Sequence, residues 1–122
     1  MNIYLILASV FSFLGWGVHT FIGTPEVARP LLESTMQPVP KYTNYYCWHL
    51  ITMVLFAMGA GFAYAAFYPG GKDVAILMTA LSAGFAIWSL ALIRLRKRKL
   101  MELPQWTFFV VITPLGIIGT LV

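Results

Sequence analysis

Long apolar stretches alternate with short polar segments along the chain, and four of these stretches have about the length of a membrane span. They cover approximately residues 3–20, 47–67, 74–93 and 106–122. Twenty residues of α-helix rise roughly 30 Å, which matches the hydrocarbon core of a bilayer. Helices satisfy their own backbone polar groups in lipid. The pattern therefore predicts an all-α protein, a bundle of four transmembrane helices that forms one integral membrane domain over residues 1–122.

The polar segments between these stretches contain strong turn signals. Tyr68-Pro69-Gly70-Gly71 predicts a tight turn between the second and third helices, and Asp73 is placed to cap the third. Pro114 lies inside the fourth stretch and predicts a kink there. Residues 21–46 carry four prolines and are predicted to form one long loop. Within it, Thr24-Pro25-Glu26 indicates a short, broken helix on the membrane surface.

Composition supports a membrane location, because the chain is 60% hydrophobic and only 10% charged. Ordinary soluble domains are roughly 25% charged. The net charge of +4 could suggest nucleic acid, but five of the eight basic residues cluster at positions 94–99, directly after an apolar stretch. Such a cluster is typical of a membrane-flank anchor and topology signal. We therefore expect the lipid bilayer as a partner and no nucleic acid.

The distribution of basic residues predicts the orientation in the membrane. The loop after the third helix and the predicted loop over residues 21–46 together hold seven basic residues, whereas Lys72 is the one base in the opposite turn. The positive-inside rule then places both loops in the cytoplasm and both termini outside it. No charged residue lies between Lys41 and Lys72 or between Asp73 and Arg94, which disfavours an ion-coupled transporter.

With this topology, the two histidines approach the cytoplasmic edge from adjacent antiparallel helices at similar depth. Neutral imidazole is a common ligand of metal ions and haem, so His19 and His49 are candidate ligands. The alternative for each is an interfacial imidazole that is hydrogen-bonded to a carbonyl or a neighbouring side chain. Glu26 or Asn44 is a candidate for orienting an imidazole.

Aromatic and small residues surround the histidines in the sequence. Trp16 precedes His19 by three residues and shares its face, and Trp88 is expected at the same half of the bilayer. Both are candidate walls of a ligand site, with an interfacial aromatic belt as the alternative. Gly15 and Gly23 flank His19 at spacings of four, which predicts a groove for a ligand or for a neighbouring helix. Similar packing surfaces are predicted from the small residues Ala57, Gly61, Ala65, Ala80 and Gly84.

Three short motifs stand out in the first half of the chain, namely H-T-F-I-G at His19–Gly23, R-P-L-L at Arg29–Leu32 and W-H-L-I-T at Trp48–Thr52. They resemble motifs of a group of small four-helix bacterial inner-membrane proteins with no assigned activity. The group has H-x-x-x-G near the end of the first helix, P-L-L in the loop and W-H-L at the start of the second. The resemblance covers the first half of the chain. It implies a bacterial inner membrane and emphasises His19, Gly23, Trp48 and His49, without naming a reaction.

Three functions follow as hypotheses. The first is a non-enzymatic membrane protein that binds haem or a transition-metal ion between His19 and His49. The second is an accessory or self-assembling subunit, either as a homo-oligomer or with partner membrane subunits. The third is a membrane enzyme that acts on a lipid or quinone with His49 as base, and with Glu26 or Glu33 folded over the site. The chain has four acidic residues, none of them at membrane depth, which favours a non-enzymatic protein.

Overall fold

The computed structural model describes residues 1–122 and is all-α, with 88% of the residues in helices and no strands. Three helical segments are long and apolar enough to cross a membrane, and the last helix is equally apolar but has 16 residues. The predicted fold class is therefore confirmed as an all-α protein with membrane-compatible helices. The principal helices are α1 (Ile3–Gly17), α2 (Arg29–Glu33), α3 (Pro38–Phe67), α4 (Lys72–Leu95) and α5 (Trp106–Leu121).

The chain stays helical between α1 and α2, as two π-helical turns at Val18–Ile22 and Thr24–Ala28. In these turns the N–H of Gly23 donates to the carbonyl of Val18, and the N–H of Arg29 donates to that of Thr24. A π-helical turn pairs each carbonyl with an N–H one residue further along than an α-helix does. This wider register lets the helix continue past prolines, which have no N–H to donate.

The prediction of a long loop over residues 21–46 is therefore wrong. The residues that separate α2 from α3 are Ser34–Gln37. Helix α3, which corresponds to the predicted second transmembrane helix, begins at Pro38, nine residues before the predicted start at Cys47. Pro38 and Pro40 lie in its first turn, where a missing N–H leaves no carbonyl unpaired. The 30 residues of α3 rise roughly 45 Å, so α3 is longer than the hydrocarbon core by about 15 Å.

The long helices pack around one core. Helix α1 contacts α3 and α5, and α4 contacts α5 and α3, so the four helices close into a ring. The core lies towards the end of the ring that holds the chain termini. It consists of Leu5, Ala8, Met58, Phe62, Ala65, Ala66, Ala75 and Ile112.

Asn2 joins three helices at that end. Its side-chain oxygen accepts hydrogen bonds from the backbone N–H groups of Tyr4 and Leu5 and so caps α1. Its amide nitrogen donates to the carbonyl of Gly119 in α5 at 2.7 Å, and its backbone N–H donates to the carbonyl of Ala66 in α3 at 3.0 Å. A single residue, through its side chain and its backbone N–H, thus fixes the relative positions of α1, α3 and α5.

The predicted tight turn between α3 and α4 is present as a 3₁₀ turn at Pro69–Gly71. A methyl group on Gly71 would lie 2.6 Å from the Cα of Ala65, so this turn requires glycine. The predicted cap is wrong, because α4 begins at Lys72 and has no side-chain cap. Asp73 therefore lies within the first turn of α4 and not before it.

Hydroxyl groups provide further ties between helices. The hydroxyl of Ser9 in α1 donates to the carbonyl of Gly59 in α3 at 2.8 Å. Between α4 and α5, the hydroxyl oxygens of Ser82 and Thr113 lie 2.9 Å apart. Helix α5 continues through Pro114 to Leu121, and the Ser82 contact holds it one residue before this proline.

The antiparallel arrangement gives the molecule two ends of different charge. Both termini and the α3–α4 turn, with Lys72, lie together at one end, around a cavity of about 510 Å³. The α2–α3 turn and the α4–α5 connection lie at the other end, with the remaining seven basic side chains.

Candidate functional site

The candidate site forms where the first π-helical turn meets α3. His19 lies in this turn, and Trp48 lies in α3. Their rings are stacked, with centroids 3.9 Å apart and an angle of 20° between the planes. His19 is half-buried by this contact. The ring that faces His19 is therefore the indole of Trp48 and not the imidazole of His49.

The imidazole of His19 is also hydrogen-bonded across the helix pair. Its Nε2 lies 3.2 Å from the carbonyl oxygen of Trp48 and 3.1 Å from the hydroxyl oxygen of Thr52. A carbonyl oxygen only accepts, so Nε2 carries a proton and donates it to this bond. In the neutral imidazole the lone pair is then on Nδ1. His19 is thus hydrogen-bonded to a carbonyl and to a neighbouring side chain, which are the contacts that the alternative to a ligand role predicts.

Thr52 was not given a role by the sequence. Its hydroxyl group donates to the carbonyl of Trp48, four residues earlier in α3, at 3.1 Å. The same hydroxyl oxygen faces Nε2 of His19, so one threonine connects its own helix to the neighbouring helix. The spacing of four between Trp48 and Thr52 was a usable signal, because a helical threonine commonly bonds to the carbonyl four residues before it.

Gly23 provides the space that the Trp48 ring occupies. A methyl group on Gly23 would lie 2.8 Å from Cη2 and 2.9 Å from Cζ2 of Trp48. At Gly15, the corresponding contact is with the ring of Phe108 in α5, at 3.4 Å from Cγ. The two glycines therefore receive side chains from different helices. They do not form a single groove beside His19, and the room predicted at each is filled by a neighbouring helix.

His49 has a different environment from His19. Its side chain is exposed, and its ring packs edge-on against Tyr45 at a centroid distance of 4.6 Å. It follows Trp48 directly, and consecutive helical residues point about 100° apart.

The two tryptophans that were predicted as walls lie in separate places. Trp16 packs edge-on against Phe21, at 6.0 Å, and against Phe56 of α3, at 5.6 Å. Phe13 extends this aromatic cluster, 5.5 Å from Phe56. Trp88 lies on α4 with 62% of its surface exposed. Trp16 thus supports the α1–α3 contact, whereas Trp88 faces outwards.

The predicted orienting residues do not reach the histidines. The amide nitrogen of Asn44 donates to the carbonyl of Pro40 at 2.8 Å, within its own helix. Glu26 is exposed on the second π-helical turn and bonds to neither histidine. No group of three or more His, Cys, Asp and Glu side chains is gathered in a way that could hold a metal ion. The arrangement is suited to holding α1 against α3, with a lone pair left on Nδ1 of His19.

Comparisons with protein-family models, with curated proteins and with solved structures gave no match to this chain.

Proposed function

We propose that the protein is a self-assembling or accessory subunit of a membrane complex. In this proposal α1, α3, α4 and α5 form a four-helix transmembrane bundle with both termini outside the cytoplasm. The fourth span is supported by the packing of α5 on α1 and α4, and by its apolar sequence. The orientation is supported by the seven basic side chains at the end with the α2–α3 turn, against Lys72 at the other end.

The outward face of α4 is the observation that carries self-assembly. Ala80 and Gly84 are exposed on it, one helical turn apart, and a methyl group on Gly84 would meet nothing within 4 Å. Leu77 and Trp88 extend the same face and are 57% and 62% exposed. Small residues at a spacing of four let two helix backbones approach closely in a membrane. The face therefore has the form of a helix–helix contact whose partner lies outside this chain.

The glycines within the bundle show how such positions are otherwise used. A methyl group on Gly61 would lie 2.9 Å from Met78, and one on Gly59 would lie 2.9 Å from the ring of Phe13. On Gly116 it would clash with the Thr79 hydroxyl. Gly84 differs from all of these because its space is not filled by a neighbouring helix. We propose that a helix of a second copy, or of a partner subunit, fills it.

Crosslinking in native membranes, followed by mass determination in lipid nanodiscs, tests self-assembly. The wild-type chain is expected to give a defined oligomer. Gly84→Leu is expected to weaken association by about tenfold or more, since it would lose more than about 1.4 kcal/mol of close packing. Gly17→Leu is the matched control, because Gly17 also has nothing within 4 Å but lies on α1. A strict monomer in both gentle detergent and lipid, together with no crosslinked partner in native membranes, would refute the proposal.

The resemblance to small four-helix bacterial inner-membrane proteins, and with it the inner-membrane location, is part of the same proposal. His19, Gly23 and Trp48 from the resembling motifs meet in the α1–α3 contact. In this proposal the three motif residues have a packing role.

A second candidate function is the binding of a transition-metal ion or haem between His19 and His49. It is favoured by the lone pair on Nδ1 of His19 and by the hydroxyl oxygen of Thr20, which is buried without a hydrogen-bond partner. Haem bound through Nε2 would have to displace the bond to Trp48. The visible spectrum and metal content of the purified protein test this function, with the double variant His19→Ala/His49→Ala as control. Colourless, metal-free protein that ignores added haemin would refute it.

A further inference from the structure

The basic cluster at residues 94–99 forms a hydrogen-bonded turn at the end of α4, the basic turn. The N–H of Arg98 donates to the carbonyl of Ile93 at 3.0 Å, and the N–H of Lys97 donates to that of Arg94 at 3.2 Å. This pair of bonds is the Schellman motif, in which the residue after the helix cap adopts the left-handed conformation. Lys97 occupies that position, with φ 51°.

Glycine is the residue that usually occupies this position, because a Cβ is disfavoured in left-handed backbone. Lys97 is the one non-glycine residue with positive φ in the chain. The turn therefore keeps a lysine where a glycine would form the same bonds with less strain. The result is five basic side chains within six residues, all of them exposed. A topology signal requires a number of charges but not this compact arrangement.

Apolar side chains border the basic turn. Leu95 and Met101 are each 70% exposed, and Leu100 is 52% exposed. The indole nitrogen of Trp106 donates to the carbonyl of Leu100 at 3.0 Å, which holds this segment against the start of α5. Cations and exposed apolar side chains thus lie next to each other at the end of a membrane-compatible helix. This combination matches the chemistry of a phospholipid, which has a phosphate above and acyl chains below.

We propose that the basic turn binds the headgroup of an anionic lipid that carries two phosphate groups. The guanidinium and ammonium groups would donate charge-assisted hydrogen bonds to the two phosphates. Leu100 and Met101 would contact the acyl chains below them. Two phosphates match the cluster better than one, because a second phosphate offsets a further positive charge and adds acceptor oxygens for the five cationic side chains. This site goes beyond self-assembly and does not depend on it.

Native mass spectrometry of the purified full-length chain tests this proposal. The probes are a lipid with two phosphodiester groups, an anionic lipid with one phosphate at matched total charge, and a zwitterionic lipid. Soluble pyrophosphate and a short RNA are added as competing probes. The wild-type chain is expected to retain the two-phosphate lipid best. Lys97→Gly is expected to weaken this retention about fivefold, as one basic residue near an anionic surface contributes. Its thermal unfolding midpoint should be unchanged or raised, because glycine relieves the left-handed strain.

Lys72→Gln is the matched control, because Lys72 is a single exposed lysine at the opposite end of the molecule. It is expected to leave lipid retention unchanged. Three outcomes would overturn the proposal. They are wild-type lipid retention by Lys97→Gly, equal retention of the two anionic lipids, and tighter binding of soluble pyrophosphate or a short RNA than of the two-phosphate lipid. Because the readout is lipid retention, failure here leaves the mass-based test of self-assembly unaffected.

Discussion

Gly23→Ala tests the packing at the α1–α3 contact most sharply. Alanine at this position would place a methyl group 2.8 Å from Cη2 of Trp48. The Trp48 ring has little freedom to move, because it stacks on the His19 ring at 3.9 Å. The His19 ring is held in turn by the hydrogen bond from its Nε2 to the backbone carbonyl of Trp48. The backbone of Gly23 is ordinary right-handed helix, with φ −67° and ψ −33°, so alanine introduces no backbone strain.

The magnitude follows from two opposing effects. Replacing a helical glycine by alanine stabilises a helix by roughly 0.5–1 kcal/mol, whereas overpacking a filled contact costs roughly 1–3 kcal/mol. Gly17→Ala provides the reference, since Gly17 has φ −62° and ψ −46° with nothing within 4 Å. The difference in unfolding free energy between the two variants removes the helix-propensity effect. Gly23→Ala is therefore expected to be less stable than Gly17→Ala by about 1–3 kcal/mol.

Equilibrium unfolding in mixed micelles, followed by far-ultraviolet circular dichroism, measures this difference. The same pair of variants in a Trp48→Ala background is expected to show no difference, because the clashing ring is gone. If Gly23→Ala were as stable as Gly17→Ala in the wild-type background, the packing of Trp48 against Gly23 would be refuted.

Two further predictions concern the polar ties between helices. Asn2→Ala is expected to reduce the unfolding free energy by about 2–3 kcal/mol, because it removes both the cap of α1 and the bond to the carbonyl of Gly119. A loss below about 0.5 kcal/mol in micelle unfolding would contradict that role. Ser9→Ala is expected to reduce the unfolding free energy by about 0.6–1 kcal/mol, since the Ser9 hydroxyl donates to the carbonyl of Gly59 in α3. Ser89→Ala should reduce it less, because the Ser89 hydroxyl bonds within its own helix. Equal losses would argue against a stabilising bond between Ser9 and Gly59.

The apolar pattern was sufficient to predict the membrane-compatible helices and the turn at Pro69–Gly71. It failed over residues 21–46, where the prolines indicated a loop. Residue types alone could not show that the helix continues through Pro25 and Pro30 by way of π-helical turns. The reason is that a π-helical turn is defined by which backbone N–H donates to each carbonyl, and this pairing is not visible in the sequence. The start of α3 at Pro38 was therefore missed, whereas the predicted end of the first span at residue 20 lies two residues from the end of the membrane-compatible segment Ile3–Ile22.

At the candidate site, the sequence motifs identified the residues that take part but not which side chains contact each other. The motif residues His19, Gly23 and Trp48 do meet, and the prediction that Gly23 provides room is explained by the Trp48 ring. The sequence did not indicate that the ring of Trp48 stacks on His19, although neighbouring residues on α3 point in different directions. Which of Trp48 and His49 faces α1 depends on the rotation of α3 about its axis, and tertiary packing sets that rotation.

We infer that the imidazole of His19 ties α1 to α3 and does not act as a ligand through Nε2. The position of the proton on its ring is the most direct test of this role. The measurement is ¹⁵N solid-state NMR of histidine-labelled protein in lipid bilayers at mildly alkaline pH, with His49→Gln so that only His19 is observed. We expect a proton on Nε2, hydrogen-bonded to a labelled Trp48 carbonyl, and a bare Nδ1. A proton on Nδ1 with a bare Nε2 would contradict it.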